Sequence, residues 1–116
     1  MITPIEVVQR NLQVGFPVVS KVPTSRPDTF VRVDMSAPNR NNLLQYGTLM
    51  IIQVYSTDLG VAIDLFDQII PQLEDMPVVD PLVSGWEENT GPHEFPDPDI
   101  SQFRWQMTGQ LYHTLT

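Results

Sequence analysis

The residues Tyr46-Gly-Thr-Leu-Met-Ile-Ile-Gln-Val-Tyr55 are a continuous run of strand-forming side chains. At a spacing of two, one side of this run carries Thr48, Met50, Ile52 and Val54, and the other carries Leu49, Ile51, Gln53 and Tyr55. Both sides are mostly apolar, whereas a strand with one face in water alternates between apolar and polar residues. We therefore predict that this run is the central strand of a sheet covered on both faces.

A helix is predicted directly after this strand. Ser56, Thr57 and Asp58 offer side-chain oxygens to the first free N–H groups of that helix. Because Pro71 lacks a backbone N–H and disfavours a helical residue before it, the helix is predicted to end or kink at Ile70. The apolar residues with helical spacing, which predict its buried stripe, are Leu59, Ala62, Ile63, Phe66, Ile69 and Ile70.

The segment before the central strand predicts a helix and two strands. Thr3 is suited to cap the helix, with Pro4 in the first helical position and Glu6 completing a capping box. Gly15 can adopt the left-handed conformation that ends a helix. Strands are predicted at residues 18–22 and 30–35, the second half-buried because it alternates, and polar connections at residues 23–29 and 36–42.

The segment after residue 70 predicts a weak strand and a strong one. The weak strand covers residues 82–86, and an exposed loop rich in proline is predicted at residues 89–99. The strong strand begins at Phe103, and its alternation predicts one face on the helices and one polar face. The apolar face carries Phe103, Trp105, Met107, Leu111 and Leu115, and the polar face carries Arg104, Gln106, Thr108, Gln110, Tyr112 and Thr114.

These elements predict one α+β domain over residues 1–116. Its sheet is expected to be mainly antiparallel with four to five strands, and two helices pack on one face. The chain contains no cysteine, which fits a reducing compartment, and no apolar run approaches the roughly 20 residues of a membrane helix. The N-terminal residues lack the basic and apolar regions of a signal peptide.

The charge is unevenly divided along the chain, whose net charge is −8. Residues 1–57 hold five basic and three acidic residues, whereas residues 58–116 hold Arg104 and eleven carboxylates. There is no basic stripe of the kind that binds phosphates, which argues against a protein that grips nucleic acid. The acidic half can be a solubilising surface, or it can meet the other half of a neighbouring subunit in a head-to-tail ring.

The residue types that support catalysis are few. His93 and His113 are the two histidines, and His113, on the apolar face of the last strand, is predicted to be a partly buried residue with its hydrogen bonds satisfied. His93, Glu94, Asp97 and Asp99 have metal-binding side chains, but their spacing matches no calcium loop or zinc motif. We therefore predict a solvated loop there, no catalytic, metal or cofactor site, and a structural or interaction protein.

Several short motifs follow one another in a distinctive order along the chain. A Pro-x-x-Arg-Pro loop runs into Phe30-Val-Arg-Val33, after a capped helix and a short strand. Asn39-Arg40 precedes the long hydrophobic strand, and a helix follows it at once. Pro96-Asp97-Pro98 precedes a final alternating strand that begins Phe103-Arg-Trp-Gln. In this order, and over nearly the whole chain, these motifs resemble the tail terminator (tail completion) proteins of long-tailed bacteriophages, in particular those of phages that infect actinobacteria.

The resemblance implies a six-membered ring at the head-proximal end of the tail tube, at the head–tail junction of a virion assembled in the host cytoplasm. Such a ring stops polymerisation of the tube protein and offers a docking surface to the head connector. Genomic DNA passes through the ring without being read. We add the hypothesis that acidic residues between Glu74 and Asp99 line the bore and repel the duplex.

Under this interpretation the polar loops and the last strand would meet neighbouring proteins. The loops are residues 24–29, 37–42 and 89–99. The residues assigned to subunit or partner contacts are Arg26, Arg32, Arg40, Arg104, Trp86, Glu87 and Glu88. The alternatives are another neck or head-completion protein of the virion, or a small ligand- or metal-binding domain that uses His93 and Glu94.

Overall fold

The computed structural model describes residues 2–40 and 45–114 of the chain. These ranges contain two helices and a mostly antiparallel sheet, so the predicted α+β class is confirmed. In chain order the elements are α1 (Pro4–Asn11), β1 (Val18–Val19), β2 (Thr29–Met35), β3 (Asn39–Arg40), β4 (Tyr46–Ser56), α2 (Leu59–Val79), β5 (Val83–Glu94) and β6 (Phe103–His113).

The six described strands form one mixed sheet with β4 at its centre. The strand order is β1-β2-β4-β6-β5, and β3 pairs with β4 on the side that β2 also occupies. β1 runs parallel to β2, and the other pairs are antiparallel. The predicted count of four to five strands is too low. Asn39 and Arg40 pair with β4 to form β3, although their composition is that of a polar connection; residues 41–42 lie outside the described ranges.

Both helices pack on the same face of the sheet. The register aligns Val33 with Ile52 and Ile52 with Met107, so their side chains share this face. All three are fully buried, and burying a side chain of this size contributes about 1.5–3 kcal/mol. The helix residues in the same core are Val7, Val8, Ala62, Leu65, Phe66, Ile69, Leu73 and Met76.

Helix α2 continues past the predicted end at Ile70. Pro71 and Pro77 lie inside the helix, and a proline there costs about 3 kcal/mol or more because it removes a hydrogen bond and clashes with the preceding turn. Beyond Pro71, Leu73 and Met76 are fully buried, and each contributes about 1.5–3 kcal/mol. Burial of these two side chains therefore offsets much of the cost and extends the helix.

The buried stripe of α2 also differs from the predicted one. Leu59 and Ile63 were expected to be buried but are 40% and 42% exposed, whereas Leu65 is 2% exposed. At about 100° per residue the buried residues from Ala62 to Met76 lie along one side of α2, and Leu59 and Ile63 fall at the margin of that side. Residue type alone does not separate these positions, because all of them are apolar.

Helix α1 begins as predicted and ends earlier. The Thr3 side chain accepts a hydrogen bond from the Glu6 N–H at 3.2 Å, which confirms Thr3 as the N-cap. The helix ends at Asn11, because Leu12 is extended and buried. Gly15, the predicted terminator, does have a positive φ of 78°, but it lies in the turn that leads to β1.

Strand β5 is longer than predicted. Residues 89–94 belong to it, although their glycine and proline content predicted a loop. β5 pairs with β6 through three irregularities in register, and Gly91 and Pro92 lie at the last of these. Since β5 is an edge strand, Pro92 can be accommodated on its unpaired side or at a bulge.

An ion pair joins the first helix to the end of the second. The Arg10 guanidinium donates two hydrogen bonds to the Asp80 carboxylate, at 2.8 and 2.7 Å. Asn11 Nδ2 and the Leu82 N–H also donate to this carboxylate, at 2.8 and 3.0 Å. Asp80 is 4% exposed, and its hydrogen bonds with Arg10 lower its pKa to about 2. These contacts fix the turn between α2 and β5.

A glycine in β6 makes room for a tryptophan of β5. Trp86 packs against the core, and its ring lies over Gly109. A Cβ atom at position 109 would overlap the benzo ring of Trp86. The close approach of the two strands at this point therefore requires glycine.

We expect Gly109→Ala to lower the free energy of unfolding by about 1–3 kcal/mol, because the added methyl group forces the rigid Trp86 ring to move. Urea unfolding measures the change. Gly91→Ala is the matched control in β5, since its Cβ would approach only a Glu88 oxygen, at 3.9 Å. The control should stay within about 0.5 kcal/mol of the wild type. Equal stability of the two variants would contradict the packing of Trp86 on Gly109.

We expect Asp80→Asn to cost about 2 kcal/mol, because it leaves Arg10 without its charged acceptor. The pKa of Asp80 is lower in the folded chain than in the unfolded one. Its stabilising contribution is therefore complete above about pH 4 and is lost as the pH falls toward about 2. Chemical denaturation between these pH values should show a smaller loss in the variant. Glu74→Gln, on an exposed residue of α2, should keep the wild-type slope.

Candidate assembly surface

The sheet face opposite the helices is the candidate assembly surface, and we call it the open face. Side chains alternate along each strand, so the register of β2, β4 and β6 gives its members. The alternation predicted for the last strand is confirmed from Arg104 to Tyr112, and Leu115 lies outside the described residues. The members are Phe30, Arg32, Asp34, Leu49, Ile51, Gln53, Tyr55, Arg104, Gln106, Thr108, Gln110 and Tyr112.

One end of the open face is covered by its own aromatic and amide contacts. The Tyr55 ring, 2% exposed, stacks on Phe30 with centroids 4.5 Å apart and an angle of 8° between the planes. Tyr55 Oη donates to Gln53 Oε1 at 3.1 Å, and Gln53 Nε2 donates to Gln106 Oε1 at 2.8 Å. Tyr55, Gln53 and Gln106 are thus joined by two hydrogen bonds that run across this end of the face.

The other end of the open face has apolar side chains that are only half-buried. Leu49 and Ile51 belong to this group, and they pair with Gln110 and Thr108 of β6. The prediction that β4 is covered on both faces is therefore correct for the helix side and only partly correct for this side. These two side chains form a small apolar patch that is bordered by the amide of Gln110 and the hydroxyl of Thr108.

Arg32 lies in the middle of the open face, opposite Gln53. Its Nη2 atom is 3.4 Å from Asp34 Oδ2, on the same strand. The buried Nε atom of Arg32 has no hydrogen-bond partner within the described part of the chain. Its side chain is 29% exposed, so the guanidinium reaches the surface from a half-buried stem.

The Arg104 side chain makes hydrogen-bond, ring and ion-pair contacts within its own chain. Its Nε donates to the Phe95 carbonyl at 2.6 Å, and its Cζ lies 4.8 Å from the centroid of the Phe95 ring. Nη1 is 3.6 Å from Asp97 Oδ2, and the side chain is 15% exposed. Arg104 therefore holds the loop between β5 and β6 against the open face, which limits what it can offer to a neighbour.

Arg26 and Arg40 are exposed residues at different places. The Arg26 Cζ lies 5.9 Å from the centroid of the Tyr55 ring, and Nη1 donates to Gln102 Oε1 at 3.4 Å. Arg40 lies on β3, where it pairs with Tyr46 of β4. The structure thus brings Arg26 and Arg104 to Tyr55 at one end of the open face, and it places Arg40 at the edge of the sheet.

Trp86, Glu87 and Glu88 are consecutive residues of β5 with different roles. Trp86 is part of the intramolecular core described above. Glu87 and Glu88 are exposed on the edge strand, and neither takes part in an ion pair within residues 2–40 and 45–114. Of the three, the two glutamates are the ones available to a partner.

His93 contacts its own strand. Its Nδ1 lies 2.9 Å from the Gly91 carbonyl, and its ring meets Phe95 edge-on with centroids 6.4 Å apart. Across the described ranges no three histidine, aspartate or glutamate side chains are grouped so as to hold a metal ion. His93 and Glu94 lie in β5, not in the predicted loop.

His113 is buried and satisfied, as predicted. It is 1% exposed, and burial lowers its pKa, which favours the neutral ring. Nδ1 lies 3.2 Å from the Thr114 carbonyl, which can only accept, so Nδ1 carries the proton. Nε2 then accepts from the Thr48 hydroxyl at 2.7 Å. His113 links β6 to β4 and has no free nitrogen for catalysis.

The end of α2 exposes two apolar residues. Val78 is 86% exposed and Val79 is 65% exposed. Val79 borders a depression of about 390 Å³ in which Gln72 Oε1 accepts from the Gln13 N–H at 2.6 Å. Gln72 Nε2 donates back to the Gln13 carbonyl at 3.0 Å. The Gln72–Gln13 hydrogen bonds connect α2 to the residues that follow α1, and Arg10 of the ion pair also borders the depression. The depression therefore lies where intramolecular contacts hold these segments together. The spacing of residues along α2 gives no sign of it.

The described helices include none with the length and apolarity that crossing a membrane requires. In comparisons with known proteins, no family model matches the chain, and no curated protein matches it.

We expect Arg104→Gln to loosen the loop at residues 95–102, because it removes the hydrogen bond to the Phe95 carbonyl and the contact with the Phe95 ring. Hydrogen–deuterium exchange of the loop amides should become faster, with a loss of about 1–2 kcal/mol in stability. Lys21→Gln is the control, since Lys21 is an exposed residue outside this loop, and it should leave the exchange of the loop amides unchanged. Unchanged exchange in the Arg104 variant would show that Arg104 does not hold the loop.

Proposed function

We propose that this protein is a structural tail terminator of a long-tailed bacteriophage. Six copies form a ring that caps the head-proximal end of the tail tube and stops its polymerisation. The ring offers its other side to the head connector, and genomic DNA passes through the bore without being read. No catalytic step belongs to this function.

The convergence of the resembling motifs on one surface carries the proposal. Arg26 of the Pro-x-x-Arg-Pro loop and Arg104 of the last strand are far apart in sequence. Both have Cζ atoms about 6 Å from the Tyr55 centroid, at 5.9 and 6.0 Å. Arg32 of the Phe-Val-Arg-Val motif lies on the same face, opposite Gln53. Three segments that resemble the family thus build one surface, which is expected if that surface has a common role.

The two faces of the sheet also suit a subunit of a ring. The helix side is sealed by fully buried side chains, so it can keep its shape without a partner. The open face presents half-buried Leu49 and Ile51 among polar residues, and it can gain further burial from a neighbour. We assign this patch to a contact with the tube protein or with the next subunit.

Deleting the gene from the phage that carries it is expected to give overlong tail tubes in electron micrographs, because polymerisation is no longer stopped. Wild-type protein supplied in trans should restore normal lengths, and native mass spectrometry should find a six-membered ring, free or on tubes. Tubes of normal length in the deletion would overturn the proposal.

A pair of variants tests the apolar patch. Leu49→Gln/Ile51→Gln should fold, because both residues are half-buried, but should not restore tube length. Leu59→Gln/Ile63→Gln makes the same chemical change on α2, at residues that are 40% and 42% exposed, and should restore it. If both variants restore tube length, the open face is not the contact surface.

A further inference from the structure

The guanidinium of Arg32 uses only part of its hydrogen-bonding capacity within the chain. Its Nη2 atom lies 3.4 Å from Asp34 Oδ2, and its buried Nε atom contacts no acceptor among residues 2–40 and 45–114. The N–H groups of Nε and Nη2 point the same way from one edge of the guanidinium. Such an edge usually binds both oxygens of one carboxylate, at about 2.7–2.9 Å. Arg32 therefore has a two-donor edge that is largely unused.

The pair of Arg10 and Asp80 shows a completed contact of this kind in the same chain. The Nε and Nη2 atoms of Arg10 donate to the two oxygens of Asp80 at 2.8 and 2.7 Å. Arg32 makes one contact with Asp34, and that contact is longer than either of these. The two arginines thus differ in how fully the same edge is used.

The neighbours of Arg32 on the open face cannot complete the contact. Asp34 Oδ1 accepts from the Met35 N–H at 2.8 Å, so the backbone holds this carboxylate and only Oδ2 reaches Arg32. Gln53 lies opposite Arg32, but its Oε1 already accepts from Tyr55 Oη at 3.1 Å. An acceptor for the Nε–H group therefore has to come from outside the open face.

The charge of the open face favours an acidic partner. Arg26, Arg32 and Arg104 lie on or over this face, against Asp34 and Asp97, and they are three of the six basic residues of the chain. On the opposite side of the sheet, α2 holds four carboxylates and no lysine or arginine. The open face is thus the more positive side of a chain whose net charge is −8.

A protein carboxylate suits Arg32 better than a phosphate of nucleic acid. Half-buried Ile51 pairs with Asp34, so the apolar patch of Leu49 and Ile51 adjoins Arg32 on the same face. A nucleic-acid backbone is repelled by the net charge of the chain and gives this patch no apolar cover. A protein segment with an acidic side chain beside an apolar one can contact both.

We infer that the tail tube protein docks on the open face through an aspartate or glutamate whose carboxylate binds the Nε–Nη2 edge of Arg32. An apolar neighbour of that residue covers Leu49 and Ile51. The inference rests on the proposed terminator function, which makes the tube protein the partner, and it adds the chemistry of the contact.

Binding requires a small change in the Arg32 side chain. Its guanidinium has to turn on its flexible stem so that the buried Nε atom faces the partner. This movement breaks the 3.4 Å contact with Asp34, which contributes little because both side chains are partly exposed. Rotamer changes of this kind are common when proteins bind.

Variants of Arg32 test the contact on tail tubes made by the deletion phage. Full-length protein is titrated into assembling tails, and the concentration that gives half of the tubes normal length is measured. Arg32→Gln removes the charge, and Arg32→Lys keeps the charge but removes the paired donors. Both should need a concentration at least about tenfold higher than the wild type, because each leaves the carboxylate of the tube protein without its paired donors.

Lys21→Gln is the matched control, because it removes one positive charge from an exposed residue outside the open face. It should act at the wild-type concentration. Urea unfolding checks that each variant is folded, and Arg32→Lys is the milder change if Arg32→Gln is not.

A charge exchange identifies the partner. Phage with Arg32→Glu, its codon changed at more than one base, should give few plaques. Their revertants should carry lysine or arginine in place of an aspartate or glutamate of the tube protein. Compensating changes that lie only in the connector, elsewhere in this chain or at position 32 would overturn the inference.

The outcome for the contact is separable from the outcome for the function. If the wild type and both folded Arg32 variants restore tube length at the same concentration, the Arg32 contact is wrong and the terminator function stands. If the deletion leaves tubes of normal length, the terminator function is wrong, and the tube protein is not the partner of the open face.

Discussion

Burial of the helix side of β4 is the constraint on which the rest of the structure depends. Met50, Ile52 and Val54 are fully buried there, between the partner strands and α2. Leaving them in water would forfeit about 1.5–3 kcal/mol for each. Helix α2 therefore has to lie across the sheet, and burial of Leu73 and Met76 in the same core keeps it helical beyond Pro71.

The same requirement makes the two faces of the sheet different, because only one of them is covered by helices. Since both helices are used to seal one face, the other face has only loops and its own side chains to cover it. Tyr55, Phe30 and the glutamine pair do this at one end, while Leu49 and Ile51 stay half-buried at the other. One face of the sheet is sealed by the helices and the other is only partly covered. This difference supports the proposed role, in which the partly covered face contacts other proteins.

Local patterns predicted the elements that depend on neighbours in sequence. The Thr3 cap, the run from Tyr46 to Tyr55 and the alternation after Phe103 each follow from residues within a few positions. The failures involve distant partners. Residues 89–94 become a strand because β6 lies beside them, and Asp80 is fixed by Arg10, 70 residues away. A single sequence gives no sign of such pairings, because either partner alone has several acceptable environments.

For Arg104 of the open face, the sequence predicted the correct side of the strand but not the contacts that the side chain makes. Alternation placed Arg104 on the polar side of its strand, but it did not show that a loop carbonyl occupies the guanidinium at 2.6 Å. Trp86 was assigned to a subunit or partner contact from the sequence, whereas the structure places its ring over Gly109 of β6 and against the core. Residue type limits the environments that a side chain can occupy, and tertiary contacts decide which of these environments it has.

The position of β6 has a consequence for synthesis on the ribosome. β6 is the last described strand in chain order, yet it lies inside the sheet between β4 and β5. Until it emerges, β4 presents an unpaired edge with the run Leu49 to Val54, and β5 has no strand to pair with. Such an edge is a site for pairing with other nascent chains. Rapid completion of the C-terminal segment, or transient shielding by a chaperone, therefore matters more for this topology than for one built by successive hairpins.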